Sequence, residues 1–186
     1  MIITISGMPG AGKSSVAKIV SEKLKLERIY VGGIRRELAR EKDMTLEELN
    51  EYALTHSETD IDVDKEAAKR AKEMDNVIVE GRTQFHFLPE SIKIYLRVNL
   101  SEGARRIWEQ IKDNKEKEER NENEVNSLEE MEENLKKRME NDTERYMKYY
   151  GFDCYDEKHY DLIIDTTSIT VEGVAEKIVE FAERFK

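Results

Sequence analysis

Gly7-Met8-Pro9-Gly10-Ala11-Gly12-Lys13-Ser14-Ser15 opens directly after the apolar run Ile2-Ile3-Thr4-Ile5 and leads straight into a helical pattern. Its glycines permit backbone conformations that side chains would block, so successive N–H groups can turn inward onto a phosphate at the start of a helix. Lys13 would then reach the β- and γ-phosphates of a nucleotide, and Ser14 would hold Mg²⁺. The pattern carries this meaning only between a strand and a helix, and both are present. A glycine-rich turn that binds nothing would need neither the lysine nor the hydroxyl.

Working outward, residues 2–6 read as a strand buried on both faces. From Lys13 to about Leu26, Val16, Ile19, Val20 and Leu24 recur at helical spacing. Ile29-Tyr30-Val31 reads as a brief strand closed by Gly32-Gly33, and a helix is expected from Ile34, with Arg35 and Arg36 in its first turn. Cations are mildly unfavourable at that end of a helix dipole, so an anionic ligand or plain solvation must account for them. Thr45 followed by Glu48 reads as a helix cap with its reciprocal carboxylate. Asp60-Ile61-Asp62-Val63-Asp64 lacks the glycine and terminal glutamate of a calcium loop, so its acids read as helix N-terminal ones over roughly 62–74.

Asn76-Val77-Ile78-Val79-Glu80-Gly81-Arg82 is a buried-type strand ending in an acid, a glycine and an arginine. Ligands of open α/β sheets bind just past the carboxyl ends of the strands, which would put Glu80 and Arg82 in the crevice of the glycine-rich loop. A surface salt bridge between the two is the alternative. Residues 92–98 read as the fourth strand, with Ser101 capping a helix that carries Arg105 and Arg106. About 105–126 is charge-dense and suits either a lid or a solvated surface helix. Leu128, Met131, Leu135 and Met139 begin one long helix to about Tyr150, ended by Gly151. Residues 160–165 give a fifth strand and Val171 to Phe185 a closing amphipathic helix. Strands alternating with helices imply an α/β fold of three layers, with a parallel sheet covered on both faces.

At 186 residues the chain fits one domain. Its net charge of −10 argues against a general nucleic-acid or anionic-membrane binder. Residues 113–144 hold six Lys or Arg against thirteen Asp or Glu, which leaves basic residues elsewhere free to build a site. One cysteine, Cys154, rules out an intrachain disulfide, and with His56, His86 and His159 scattered no zinc set can be assembled. With no signal-peptide pattern and no run long enough to span a membrane, a cytoplasmic protein is expected, a monomer or small homo-oligomer.

The glycine-rich loop, the segment Gly32 to Ala39, Glu80-Gly81-Arg82, the Tyr-Gly near 150 and Tyr160 to Thr166, taken in order, resemble the nucleoside monophosphate kinases among the P-loop kinases. The resemblance is greatest to short archaeal cytidylate kinases and spans nearly the whole chain. It implies a five-stranded sheet in the order 2-3-1-4-5, an acceptor-binding segment near 33–75, and a lid near 105–126. It also implies Mg²⁺·ATP as donor and a nucleoside monophosphate, CMP or dCMP, as acceptor. Carried over by position, Gly7 to Ser15 would bind ATP, with Thr166 and Thr167 where the adenine loop runs. Arg36 and Arg82 would hold the acceptor phosphate, Asp142 and Arg145 the acceptor nucleoside. Arg106 matches a lid arginine at the phosphates and, with Lys13 and Arg82, is expected to be catalytic. Ser14 would hold Mg²⁺, and Glu80 would order it through water.

The chain departs from that family after Arg82, where Thr83-Gln84-Phe85-His86-Phe87 replaces a small-residue and Trp pattern. Gly103, Gln110 and Thr143 stand where arginines are expected, for which Lys112, Lys115 or Arg120 could substitute. Three readings stay open on these residues: a cytidylate kinase, a kinase of another nucleotide or coenzyme precursor, and a non-catalytic ATP-binding regulator.

Overall fold

A computed structural model describes residues 1–112, 121 and 125–185. Five strands, β1 (Ile2–Gly7), β2 (Glu27–Tyr30), β3 (Val77–Glu80), β4 (Ile92–Arg97) and β5 (Leu162–Asp165), form one parallel sheet in the order β2-β3-β1-β4-β5. Ile5 pairs with Glu80 and Gly7 with Leu96, so the central strands end together at one edge of the sheet. Ile3, Ile5, Ile78, Val79 and Ile94 are fully enclosed, as continuous apolar runs must be when helices cover both faces.

Helices α1 (Lys13–Leu24) and α8 (Val171–Ala182) cover one face, packing Val16, Val20, Val174 and Ile178 on β1 and β4. On the other, α4 (Glu58–Lys72) sets Ala67 and Ala71 against Val77 and Val79. The arm between β2 and β3 also holds α2 (Val31–Glu41) and α3 (Leu46–Tyr52), and the expected capping box between Thr45 and Glu48 is formed. A single turn, α5 (Gln84–Phe87), follows Arg82. Helices α6 (Leu100–Gln110) and α7 (Leu128–Tyr150) pack through Ala104, Ile107, Met131 and Leu135. Gly151, in the left-handed conformation at φ 78°, ends α7 where the sequence places its stop.

Several boundaries differ from the sequence reading. Strand β2 begins at Glu27, because an edge strand tolerates charged residues on its open side, and Val31 already belongs to α2. Gly32 and Gly33 therefore lie in the first turn of α2, beneath the Tyr30 ring; a Cβ at Gly33 would stand 2.8 Å from that ring. Arg35 and Arg36 fall in the second turn, so the dipole argument for an anion does not apply to them. Helix α4 starts at Glu58, earlier than the spacing suggested, so Asp60 is a first-turn acid as read, while both Asp60 and Asp64 lie on its buried face. Asn99, not Ser101, caps α6, its side chain accepting the Ser101 N–H at 3.0 Å. Half of the expected lid, Lys115 and Arg120 included, lies outside the described residues, while Lys112 stands over the Trp108 ring.

Candidate active site

The segment between β1 and α1 wraps the sheet's carboxyl edge, and Gly12 enters α1 from a left-handed conformation. Lys13 turns back over this loop, its Nζ donating to the carbonyls of Gly7 at 2.8 Å and Met8 at 2.7 Å. Desolvation, reinforced by Arg82 and Arg138, holds its ammonium well below the ordinary lysine range. A nucleotide phosphate would supply the missing counter-charge.

Behind the loop stands α6. A Cβ added to Gly10 would meet the Gly103 carbonyl oxygen at 2.4 Å, and one added to Gly103 would meet the Pro9 carbonyl oxygen at 2.9 Å. The two backbones touch, which explains why no arginine occupies position 103: no side chain fits there. Arg106, one turn on, donates to Glu102 at 2.7 Å, to the Gly10 carbonyl at 3.4 Å, and to the carbonyls of Thr166 at 2.8 Å and Thr167 at 3.2 Å. It thus joins the phosphate loop to the 166–167 loop. The Thr167 hydroxyl oxygen accepts the Asn99 N–H.

The loop opens on a cleft of about 650 Å³, lined by residues Pro9 to Val16, Arg36, Glu80, Arg82, Arg106 and Thr166 among others. That volume suits a nucleotide-sized ligand. Arg36 enters it from α2, held by the Tyr30 hydroxyl at 2.7 Å and the Gly32 carbonyl at 3.0 Å. Arg82 enters from the end of β3 and pairs with Asp142 at 3.1 Å, not with Glu80. Burial works against its charge, and Asp142 more than restores it, raising its pKa well above the usual arginine value.

Glu80 is 2% exposed and is paired instead with Arg28 of β2. Its Oε2 has no hydrogen-bond partner among the described residues. Burial pushes its carboxyl up against the opposing pull of Arg28 and the Ser14 hydroxyl. A buried, partnerless carboxylate oxygen beside a phosphate-loop hydroxyl fits a hydrated Mg²⁺ ion. Among the described residues no group of three His, Cys, Asp or Glu side chains could hold a metal alone, so such an ion would rely on phosphate oxygens.

Asp142 and Arg145 stand one layer behind the cleft. Arg145 is fully enclosed, donating to Asn141 Oδ1 at 2.6 Å, Asp142 Oδ1 at 2.6 Å and Asp60 Oδ2. Asp60 also takes Arg35, and Asp142 takes the Tyr155 hydroxyl at 2.8 Å. Positive and negative groups therefore alternate from Arg35 through Asp60, Arg145 and Asp142 to Arg82, tying α2, α4 and α7 to the end of β3. Burial opposes ionisation of Asp142, yet Arg82 and Arg145 hold its carboxyl below the usual range.

A family model described as an AAA domain matches residues 3–127. The chain is 32% identical over 179 residues to the cytidylate kinase of Methanobrevibacter smithii, covering 96% of each protein. It is 37% identical over 187 residues to that of Sulfolobus acidocaldarius, covering 99% of this chain and 95% of the relative. The chain belongs to the cytidylate kinase family. Shikimate kinase from Bacteroides thetaiotaomicron shares the fold, at a TM-score of 0.64 and 15% identity over 98% of each chain.

Other residues of this cytidylate kinase family member reach the cleft without having been assigned to the site from the sequence. Asp64 lines it and accepts the Tyr150 hydroxyl at 2.7 Å and Gln84 Nε2 at 3.1 Å. Burial, helped by Asp60, pushes its carboxyl up to about 6. The signal was its spacing: Asp60, Asp64, Ala67, Ala68 and Ala71 make one buried helical stripe. Arg138 and Tyr146 also line the cleft, and Arg138 shares a face of α7 with Asp142 and Arg145.

Proposed function

We propose that this protein transfers the γ-phosphoryl group of ATP to the phosphate of CMP or dCMP, giving the nucleoside diphosphate and ADP. One observation carries this reading: a single cleft joins the phosphate loop and Lys13 to two arginines, Arg36 and Arg82. Family membership supports the same acceptor. An oxygen of the acceptor phosphate attacks the γ-phosphorus, and the bond from that phosphorus to the β,γ-bridging oxygen breaks, leaving ADP. The acceptor is already an anion at neutral pH, so no general base is needed, and positioning with charge neutralisation dominates.

In this reading Gly7 to Ser15 cradle the donor phosphates, Lys13 neutralises them, and Thr166 and Thr167 border the adenine. Arg36 and Arg82 orient the acceptor phosphate. Asp142 and Arg145 fix Arg82 and the acceptor-side helices from behind. Arg106 meets charge developing on the transferred group once it exchanges a backbone carbonyl for phosphate. Ser14, and Glu80 through water, would hold Mg²⁺, whose charge offsets that of the β- and γ-phosphates. The segment 33–75 would serve as the acceptor arm, about 105–126 as the lid, within one domain. We place the enzyme in the cytoplasm; among the described residues no helix is long and apolar enough to cross a membrane.

A second reading, ATP binding without transfer, is favoured by how the arginines of α6 are engaged: Arg106 is spent on carbonyl groups, Arg105 is paired with Glu102 and Glu109, and position 103 is a glycine. ADP release from Mg·ATP with CMP, dCMP, UMP, AMP and GMP as separate acceptors, beside an acceptor-free control, separates the two. Strong stimulation by CMP or dCMP is expected. Silence with all five despite ATP binding would overturn the kinase assignment.

A further inference from the structure

We infer that Arg28 is a positioning residue for Glu80, and through it for the divalent metal that accompanies the nucleotide. Arg28 lies on the edge strand β2, 52 residues before Glu80. Its Nε donates to Glu80 Oε1 at 3.0 Å and its second guanidinium nitrogen donates to the same oxygen. That nitrogen also reaches the Ser14 carbonyl at 3.3 Å, in the first turn of α1. An arginine meeting a carboxylate usually spreads its two donors over both oxygens. Here both donors meet at one oxygen, and the other, Oε2, is buried with no hydrogen-bond partner among the described residues.

The consequence is a carboxylate with one occupied and one available oxygen, in a fixed orientation. A glutamate side chain has three torsions, and packing alone at the end of a strand does not set the last of them. Arg28 sets it, because its guanidinium is itself held between Glu80 and the backbone of Ser14. Glu80 and Ser14, the other residue assigned to the metal, line the same cleft, and the Ser14 hydroxyl lies near enough to the carboxyl to pull its pKa down. An acceptor oxygen this enclosed calls for an N–H or O–H donor, and a metal-bound water supplies one. This role rests on Ser14 and Glu80 holding the metal, and it holds whichever acceptor the enzyme uses.

A simple staple between β2 and β3 would use the same ion pair, and metal affinity tells the two apart. Mn²⁺ is titrated into the full-length protein with saturating ADP, the free ion being counted by electron paramagnetic resonance. Arg28→Met, Glu80→Gln and the double variant are compared with the parent chain. Loss of an outer partner of a metal site weakens binding by about tenfold or more. Arg28→Met is therefore expected to weaken Mn²⁺ binding about tenfold, as Glu80→Gln does, with no further loss in the double variant. ADP affinity in EDTA should stay within about twofold, and Arg28→Lys should recover part of the loss. Should Arg28→Met fail to fold, Arg28→Gln carries the same comparison.

Parent-like Mn²⁺ affinity in Arg28→Met with a lowered melting temperature would reduce Arg28 to a staple and overturn the proposal. So would losses that add in the double variant. Parent-like affinity in Glu80→Gln would remove Glu80 from the metal, and the role of Arg28 with it, while CMP-stimulated ADP release tests the kinase reading separately.

Discussion

Replacing Arg145 by methionine removes the cation at the middle of the alternating chain and keeps a side chain of similar length. Arg145 is fully enclosed, and its loss takes one partner from each of two carboxylates, Asp60 and Asp142, themselves about 1% exposed. Breaking a buried pair from one side costs about 3–5 kcal/mol. Asp60 keeps Arg35 and Asp142 keeps Arg82, so the lower end applies, about 3 kcal/mol. For a chain of this size each kcal/mol moves the melting temperature by about 2–4 °C, which predicts a fall of about 6–12 °C. Urea unfolding followed by circular dichroism gives the free energy directly. The pH dependence supplies a second readout. Asp142 has a depressed folded pKa, so it contributes stability above its unfolded pKa, and that contribution fades as pH falls through the folded value. Without Arg145 the depression shrinks, and the variant's acid transition should move to higher pH. At a temperature where the variant is folded, the KM for CMP should change less than about threefold, because the guanidinium is enclosed. A loss below about 1 kcal/mol, or a tenfold rise in KM with stability intact, would refute the reasoning.

Lys13→Ala should reduce kcat/KM by at least about a hundredfold, the scale of losing one transition-state charge contact, with an unchanged far-ultraviolet spectrum; near-normal turnover would sink the kinase assignment. Arg82→Ala should raise the KM for the acceptor by about tenfold or more while that for ATP moves little, a split read from two-substrate kinetics. Asp64 binds its proton more tightly folded than unfolded, so its contribution to stability falls as pH rises from about 4 to 6; the shift of about two pKa units corresponds to about 3 kcal/mol. Asp64→Asn should erase that falling limb in urea titrations run across pH 4–7, and a constant difference from the parent at every pH would count against it.

Local patterns in the sequence located the elements well where the pattern is strong. The phosphate loop, the strands through Ile3, Ile78 and Ile94, and the span of α7 to Gly151 all follow from apolar spacing and glycine chemistry. The strand order came from family resemblance, since periodicity says nothing of which strand neighbours which. What stayed hidden depends on distant partners. Asp60 and Asp64 read only as helix N-terminal acids because their partners lie far off in sequence: Arg35 and Arg145, 25 and 85 residues away, for Asp60, and Tyr150, 86 residues away, for Asp64. Glu80 and Arg82 share the loop's cleft as the sequence suggested, but their ion-pair partners were hidden: the sheet gives Glu80 to Arg28 and α7 gives Asp142 to Arg82. Two glycines read as a strand stop are instead a seat for the Tyr30 ring.

The contact between Gly10 and Gly103 bears on how portable the phosphate loop is. A designer who moves residues 7–15 into another parallel sheet carries the loop but not the wall it leans on. That wall is the first turn of α6, whose glycine lets backbone meet backbone. The smallest unit that could be transplanted with its shape intact is therefore discontinuous: β1, the loop and α1, together with a helix that begins 85 positions after Ser15 and must offer a glycine at its fourth residue. A search for the contiguous motif sees only half of that unit.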